Sequence, residues 1–128
     1  MNPREEFLRK VNKAFADGDS DFLLNHVSED FCWVIVGEKT VGGKIEFSEA
    51  LDQMKDMPPM KIDIQNVIAD KNSAIIEGIV VGKNRLGQKK YFGFCDIFQL
   101  EGAETFMIKK MTSYVVDVSK HKQYRETC

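Results

Sequence analysis

The chain has 128 residues, 43% hydrophobic and 30% charged, which fits one compact domain with enough apolar matter for a core. Its net charge of −2, with Lys89-Lys90, Lys109-Lys110 and Lys120-His121-Lys122 as the only small basic clusters, argues against a nucleic-acid partner. No apolar run is long enough to span a bilayer, and "MNPREEFLRK" places charge where a signal peptide would have its apolar stretch, so the expectation is a soluble, cytoplasmic protein with no membrane segment.

The elements begin with a helix. In "NPREEFLRKVNKAFADG", Asn2 can cap, Pro3 suits the first turn, Glu5 completes a capping box, and Phe7, Leu8, Val11, Ala14 and Phe15 recur at helical spacing. Gly18 ends it. Asp19 or Ser20 opens a short second helix with Phe22, Leu23 and Leu24, followed by a strand in "SEDFCWVIVG". "VGGK" at 41–44 reads as a turn, after which Phe47, Ala50, Leu51 and Met54 mark a third helix that Pro58 and Pro59 close. From Met60 the apolar residues alternate, as Met60, Ile62 and Ile64. Turns at 70–72 and 84–87 and the tight "EGAE" separate "SAIIEGIVVG", a strand from Gln88 to Leu100 and a strand from Glu104 to Asp117. Gly78, Gly82 and Gly93 inside these patterns mark bulges or bends. The fold class is α+β, a strongly curved, mostly antiparallel sheet wrapped around three N-terminal helices.

The usual catalytic signatures are missing. Cys32, Cys95 and Cys128 form no C-x-x-C pair and are odd in number, so they read as free thiols. His26 and His121 lie far apart, which argues against a metal site, and His26 reads as a helix-end residue. Neither a glycine-rich nucleotide loop nor a G-x-S-x-G elbow occurs. No cofactor is expected.

One residue stands out against this background. "YFGFCDIF" places Asp96 inside an aromatic and aliphatic strand, where an ionised carboxylate costs several kcal/mol unless paired, bonded or neutralised. Alternation puts Phe92, Phe94 and Phe98 on its face and Gly93, Cys95 and Ile97 on the other. Asp96 either faces an aromatic pocket or bonds a neighbouring strand or a lysine on the outer face. Desolvation in such a pocket, without a cation, would raise its pKa.

The phrases "FADGDSDFLLNHVSEDFCWVIVG", "GGKIEF" and "FCDIFQLEGAE", in this order from about Phe7 to Val118, resemble the nuclear transport factor 2-like superfamily and within it the SnoaL-like proteins. The resemblance implies a single domain over 1–128, with a core of about 5–118 and a tail at 119–128. It implies a cone with a deep, mostly apolar pocket for a small apolar ligand, and many members pair through the outer face of the sheet; the apolar outer-face positions expected here, such as Ile97, Ile76 and Cys95, point to the same homodimer.

It also places Asp96 where ketosteroid isomerases carry a protonated aspartic acid that donates to an oxyanion. The isomerase tyrosine, however, falls near Val11 and its general base near Val34, both apolar here, and the last-strand acid of limonene-epoxide hydrolase falls near Ser113. Asp96 is therefore a catalytic candidate without a partner base. The pocket-lining candidates are Val11, Phe15, Trp33, Val34, Glu77, Phe92, Phe94, Phe98, Met111 and Ser113. Trp33 and Val34 compete, since a one-residue slip reverses the face, and Glu77 could equally face solvent. Two functions stand: a ligand-binding module, or a small isomerase, cyclase or lyase using Asp96 as acid/base.

Overall fold

The structure, a computed structural model, describes residues 2–58 and 60–120. The expected C-terminal tail, with His121 and Cys128, lies outside the described residues from position 121 on.

Helix α1 (Pro3–Asp17) is capped by Asn2, whose Oδ1 accepts from the Arg4 N–H at 2.8 Å, and stops where Gly18 takes a left-handed φ of 72°. This is a single cap bond, not the expected box through Glu5. Phe7, Leu8, Val11 and Ala14 form its buried face, together with Asn12, which is 4% exposed and whose amide nitrogen has no partner. Helix α2 (Ser20–Asn25) begins at Asp19, whose Oδ1 accepts from the Phe22 N–H. His26 ends it, stacked on Phe22 with Nδ1 at 2.7 Å from the Phe22 carbonyl.

Strand β1 (Val27–Ile35) turns back at Gly37 into β2 (Lys39–Gly42), which takes up Val41 and Gly42 of the "VGGK" expected as a turn. Four residues with only Val41 buried carry too short a pattern to be read, and the hydrogen bonds come from β1. Helix α3 (Gly43–Met54) buries Phe47 and Leu51. The meander β3 (Lys61–Asp70), β4 (Ser73–Lys83), β5 (Lys89–Glu101) and β6 (Met107–Asp117) completes an open, curved sheet in the order β2-β1-β6-β5-β4-β3. All neighbours are antiparallel except β1 and β6, which run parallel. Strand β6 starts three residues later than expected because Phe106 turns inward, 7% exposed, onto Phe7.

Pairing register shifts between Ile64 and Asn66 and between Gln99 and Leu100. Gly78 sits opposite the first shift, where an added Cβ would lie 2.2 Å from the Asp63 carbonyl oxygen. Gly82 and Gly93 meet no such crowding. On the inner face, Phe31, Phe47 and Phe98 are at most 1% exposed. Phe31 and Phe47 have centroids 4.7 Å apart, Trp33 meets Phe47 edge-on, and Phe15 closes the cluster.

Candidate functional site

Period-two alternation along β5 turns Phe92, Phe94, Asp96, Phe98 and Leu100 toward the helices and leaves Ile97 and Gln99 outside. Asp96 is 7% exposed. Its cross-strand neighbours are Ile76 on β4 and Ser113 on β6. Burial raises its pKa from 3.8 to about 6, and a hydrogen bond from the Ser113 hydroxyl opposes that rise. No cation pairs with it among the described residues.

Trp33 secures the serine. Its Nε1–H donates to Ser113 Oγ at 2.9 Å, so the serine oxygen is engaged as acceptor and its own proton is free to point at Asp96. Such an acid titrates close to neutrality: with a pKa of about 6, roughly half is protonated at pH 6 and roughly a tenth at pH 7. It can donate a hydrogen bond or accept a proton. Cys95, opposite in phase, has its thiol pushed up by burial and then by the Asp96 and Glu77 carboxylates, which makes it a poor nucleophile.

A cavity of about 700 Å³ opens at one end of the sheet, between the C-terminal ends of α1 and α3, the start of β3, the end of β4 and the start of β5. Its wall includes Phe15 and Phe92 among the expected residues. Leu23, Leu51, Met54, Val80 and Met60 supply further apolar surface, and Asp17, Lys55, Lys83, Lys90 and Asp117 stand among its charged groups. Asp96 is not part of this wall; it lies four residues farther along β5, roughly 13 Å at a strand rise of about 3.3 Å per residue.

The remaining expected residues divide between core and outer face. Val11, Phe94, Phe98, Met111 and Ser113 are buried inside, and Trp33 joins them through its hydrogen bond. Val34 points outward, between Thr40 and Thr112, because the register seats Trp33 beside the buried Met111 and Val41. Glu77 is also outside and exposed, accepting from Asn66 Nδ2 at 2.6 Å. Ile76, expected on the outer face, is 0% exposed and faces inward beside Asp96. The wall residues that sequence reasoning missed sit at element ends, such as Met54 before "MPPM" and Gly82 before "KNRLGQKK". Their shared position at one end of the molecule appears only once the strand order is known. Among the described residues no three His, Cys, Asp or Glu side chains are grouped as a metal ion would require, and no helix is long and apolar enough to cross a membrane.

The SnoaL-like domain profile matches residues 8–104. The chain belongs to the SnoaL-like domain family. Its fold is that of the nuclear transport factor 2-like proteins. A nuclear transport factor 2-like protein of unknown function from Cytophaga hutchinsonii is 25% identical over 88% of this chain and 98% of its own, with a TM-score of 0.69. Two enzymes share the fold at 16% identity and a TM-score of 0.77. One is an LEH-like epoxide hydrolase from M. tuberculosis, with 94% of this chain and 88% of that one covered. The other is an epoxide hydrolase/cyclase-like enzyme of pyran ring formation in the polyether salinomycin, with 91% and 92% covered. No curated protein sequence matches this SnoaL-like chain.

Proposed function

We propose that this SnoaL-like protein binds a small apolar molecule in the cavity at the open end of its sheet. The wall carries the reading: Phe15, Leu51, Met54, Val80 and Phe92 turn apolar surface into about 700 Å³ of space, a size and character suited to a drug-sized ligand. Asp96, placed deeper, tunes the interior behind the cavity and does not itself form the wall.

Gly82 offers the test. It lines the cavity, and an added Cβ there meets nothing within 4 Å, so Gly82→Phe fills the space without disturbing the backbone. Wild type is expected to bind the neutral dye N-phenyl-1-naphthylamine, and Gly82→Phe to lose that binding while keeping its thermal midpoint. Equal binding by both proteins, or none by wild type, overturns the reading.

A second reading makes the protein a small isomerase, cyclase or lyase with Asp96 as acid/base. The pKa of about 6 favours it. It requires a ligand that reaches Asp96 beyond the cavity wall, and then Asp96→Asn changes dye affinity; an unchanged affinity leaves the binding reading alone.

We also propose that two copies of the chain pair through the outer face of the sheet, along the uncharged row of Val34, Thr112, Ile97, Ile75 and Ile68.

A further inference from the structure

The hairpin that closes one side of the cavity mouth reads "KNRLGQKK" from Lys83 to Lys90. It holds Lys83, Arg85, Lys89 and Lys90 and no acidic residue. Two of these, Lys83 and Lys90, line the cavity itself. Neither forms an ion pair among the described residues. Of the two acids at the same mouth, Asp17 holds Lys13, and Asp117 accepts from the Ser119 backbone N–H at 2.9 Å and has its pKa lowered by that residue and, to a smaller extent, by the charge of Lys90. Lys90 lies directly across from Gly82, whose missing side chain leaves open space on the cavity side of the strand.

Neither lysine has a close ion pair among the described residues; Lys90 shares the cavity face of Gly82, while Lys83, one residue out of phase with it, borders the mouth, and together they stand where an apolar wall gives way to water. A neutral apolar ligand would leave them unused. We propose that the cavity takes an amphiphile: an aliphatic or aromatic body inside and a carboxylate at the mouth, held by Lys90 and Lys83. This rests on the apolar-pocket reading and adds the charge of the ligand's exposed end. The lysines act as flexible point charges with several donors each, suited to a carboxylate presented at a variable depth. A hydrogen bond between ionised partners is stronger than one to a neutral hydroxyl, and the site becomes drier as the ligand's body displaces water from the mouth.

Three probes of one chain length test this by displacement of N-phenyl-1-naphthylamine: dodecanoate, dodecanol and dodecylamine. Wild type is expected to prefer dodecanoate over dodecanol by about tenfold, the scale of one charge-assisted bond, and to bind dodecylamine no better than dodecanol. The preference should shrink with added salt. In the double variant Lys83→Gln/Lys90→Gln, the ratio of dodecanoate to dodecanol affinity, both read on that same protein, is expected to fall to about one. Dye binding with no preference for dodecanoate, or a preference that survives the double variant, overturns this inference and leaves the pocket standing. An absence of dye binding in wild type overturns the pocket and this inference together.

Discussion

Asp96 works against folding when it is ionised. Its folded pKa of about 6 lies above the ordinary 3.8, so the folded state holds its proton more tightly than the unfolded chain does. The acid form favours folding: that contribution is complete below pH ~4, declines as the pH rises toward about 6 and is constant above it. Holding the proton up to about pH 6 instead of 3.8 corresponds to roughly 3 kcal/mol. Asp96→Asn keeps the shape and an acceptor for Ser113 but carries no charge. It is therefore expected to be more stable than wild type by roughly 3 kcal/mol at pH 8, with the difference disappearing below pH 4. Denaturant titrations across this range measure the difference, and a carboxyl NMR titration locates the pKa directly; a midpoint at or below ~4 would defeat the account. The company of Asp96 was legible in "YFGFCDIF", because period-two alternation puts Phe92, Phe94 and Phe98 on its face, while the choice between the inner and outer side stayed open until the helices were placed. Its partner Ser113, and the Trp33 that holds that serine, were not legible. Ser113 and Trp33 lie 17 and 63 residues away in the chain, and only the pairing of β6 with both β5 and β1 brings them to it.

At the scale of elements, local signals governed what could be read. Helix α1 was legible from its own cap, proline and terminal glycine, since each acts within a few residues. Strand β2 was not, because its four residues gain their structure from β1. The face of β1 was undecided for the same reason: Trp33 and Val34 are both apolar, and the choice depends on parallel pairing with β6, which no local pattern encodes. Gly78 is an intermediate case. A glycine in a strand signals a bulge or close approach, and here it does both, since the Asp63 carbonyl occupies the space of a side chain. Gly78→Ala must push β3 away from β4 and is expected to destabilise by about 2 kcal/mol, in the range of overpacked sites. Gly82→Ala, with open space around it, is expected to stay within about 0.5 kcal/mol of wild type. Urea unfolding of the pair separates the two explanations: equal loss at both positions would point to glycine's general role in strands and away from contact with Asp63.

Seen as a whole molecule, the sheet has two apolar faces, and the helices cover only one. On the outer face the register aligns Val34 with Thr112, Thr112 with Ile97, Ile97 with Ile75 and Ile75 with Ile68. Five strands thus contribute one continuous row without a charge, and Thr40 extends it onto β2. Tyr114 and Val116, 47% and 62% exposed, stand beside it on β6. Val34, expected in the pocket, belongs to this row, and a single charged side chain in its middle should break its continuity. An uncharged, largely apolar stripe that crosses a sheet suits a two-fold contact with the same stripe on a second copy. Ile97 is at the centre of the row and 36% exposed, so a lysine there can extend into water in a monomer but must be buried opposite its own copy in a dimer. Wild type is expected to sediment as a dimer at micromolar concentration. Ile97→Lys should sediment as a folded monomer that still binds N-phenyl-1-naphthylamine, because the cavity opens on the other side of the sheet. A wild type that remains monomeric at these concentrations, or an Ile97→Lys variant that remains dimeric, would remove this face as the interface.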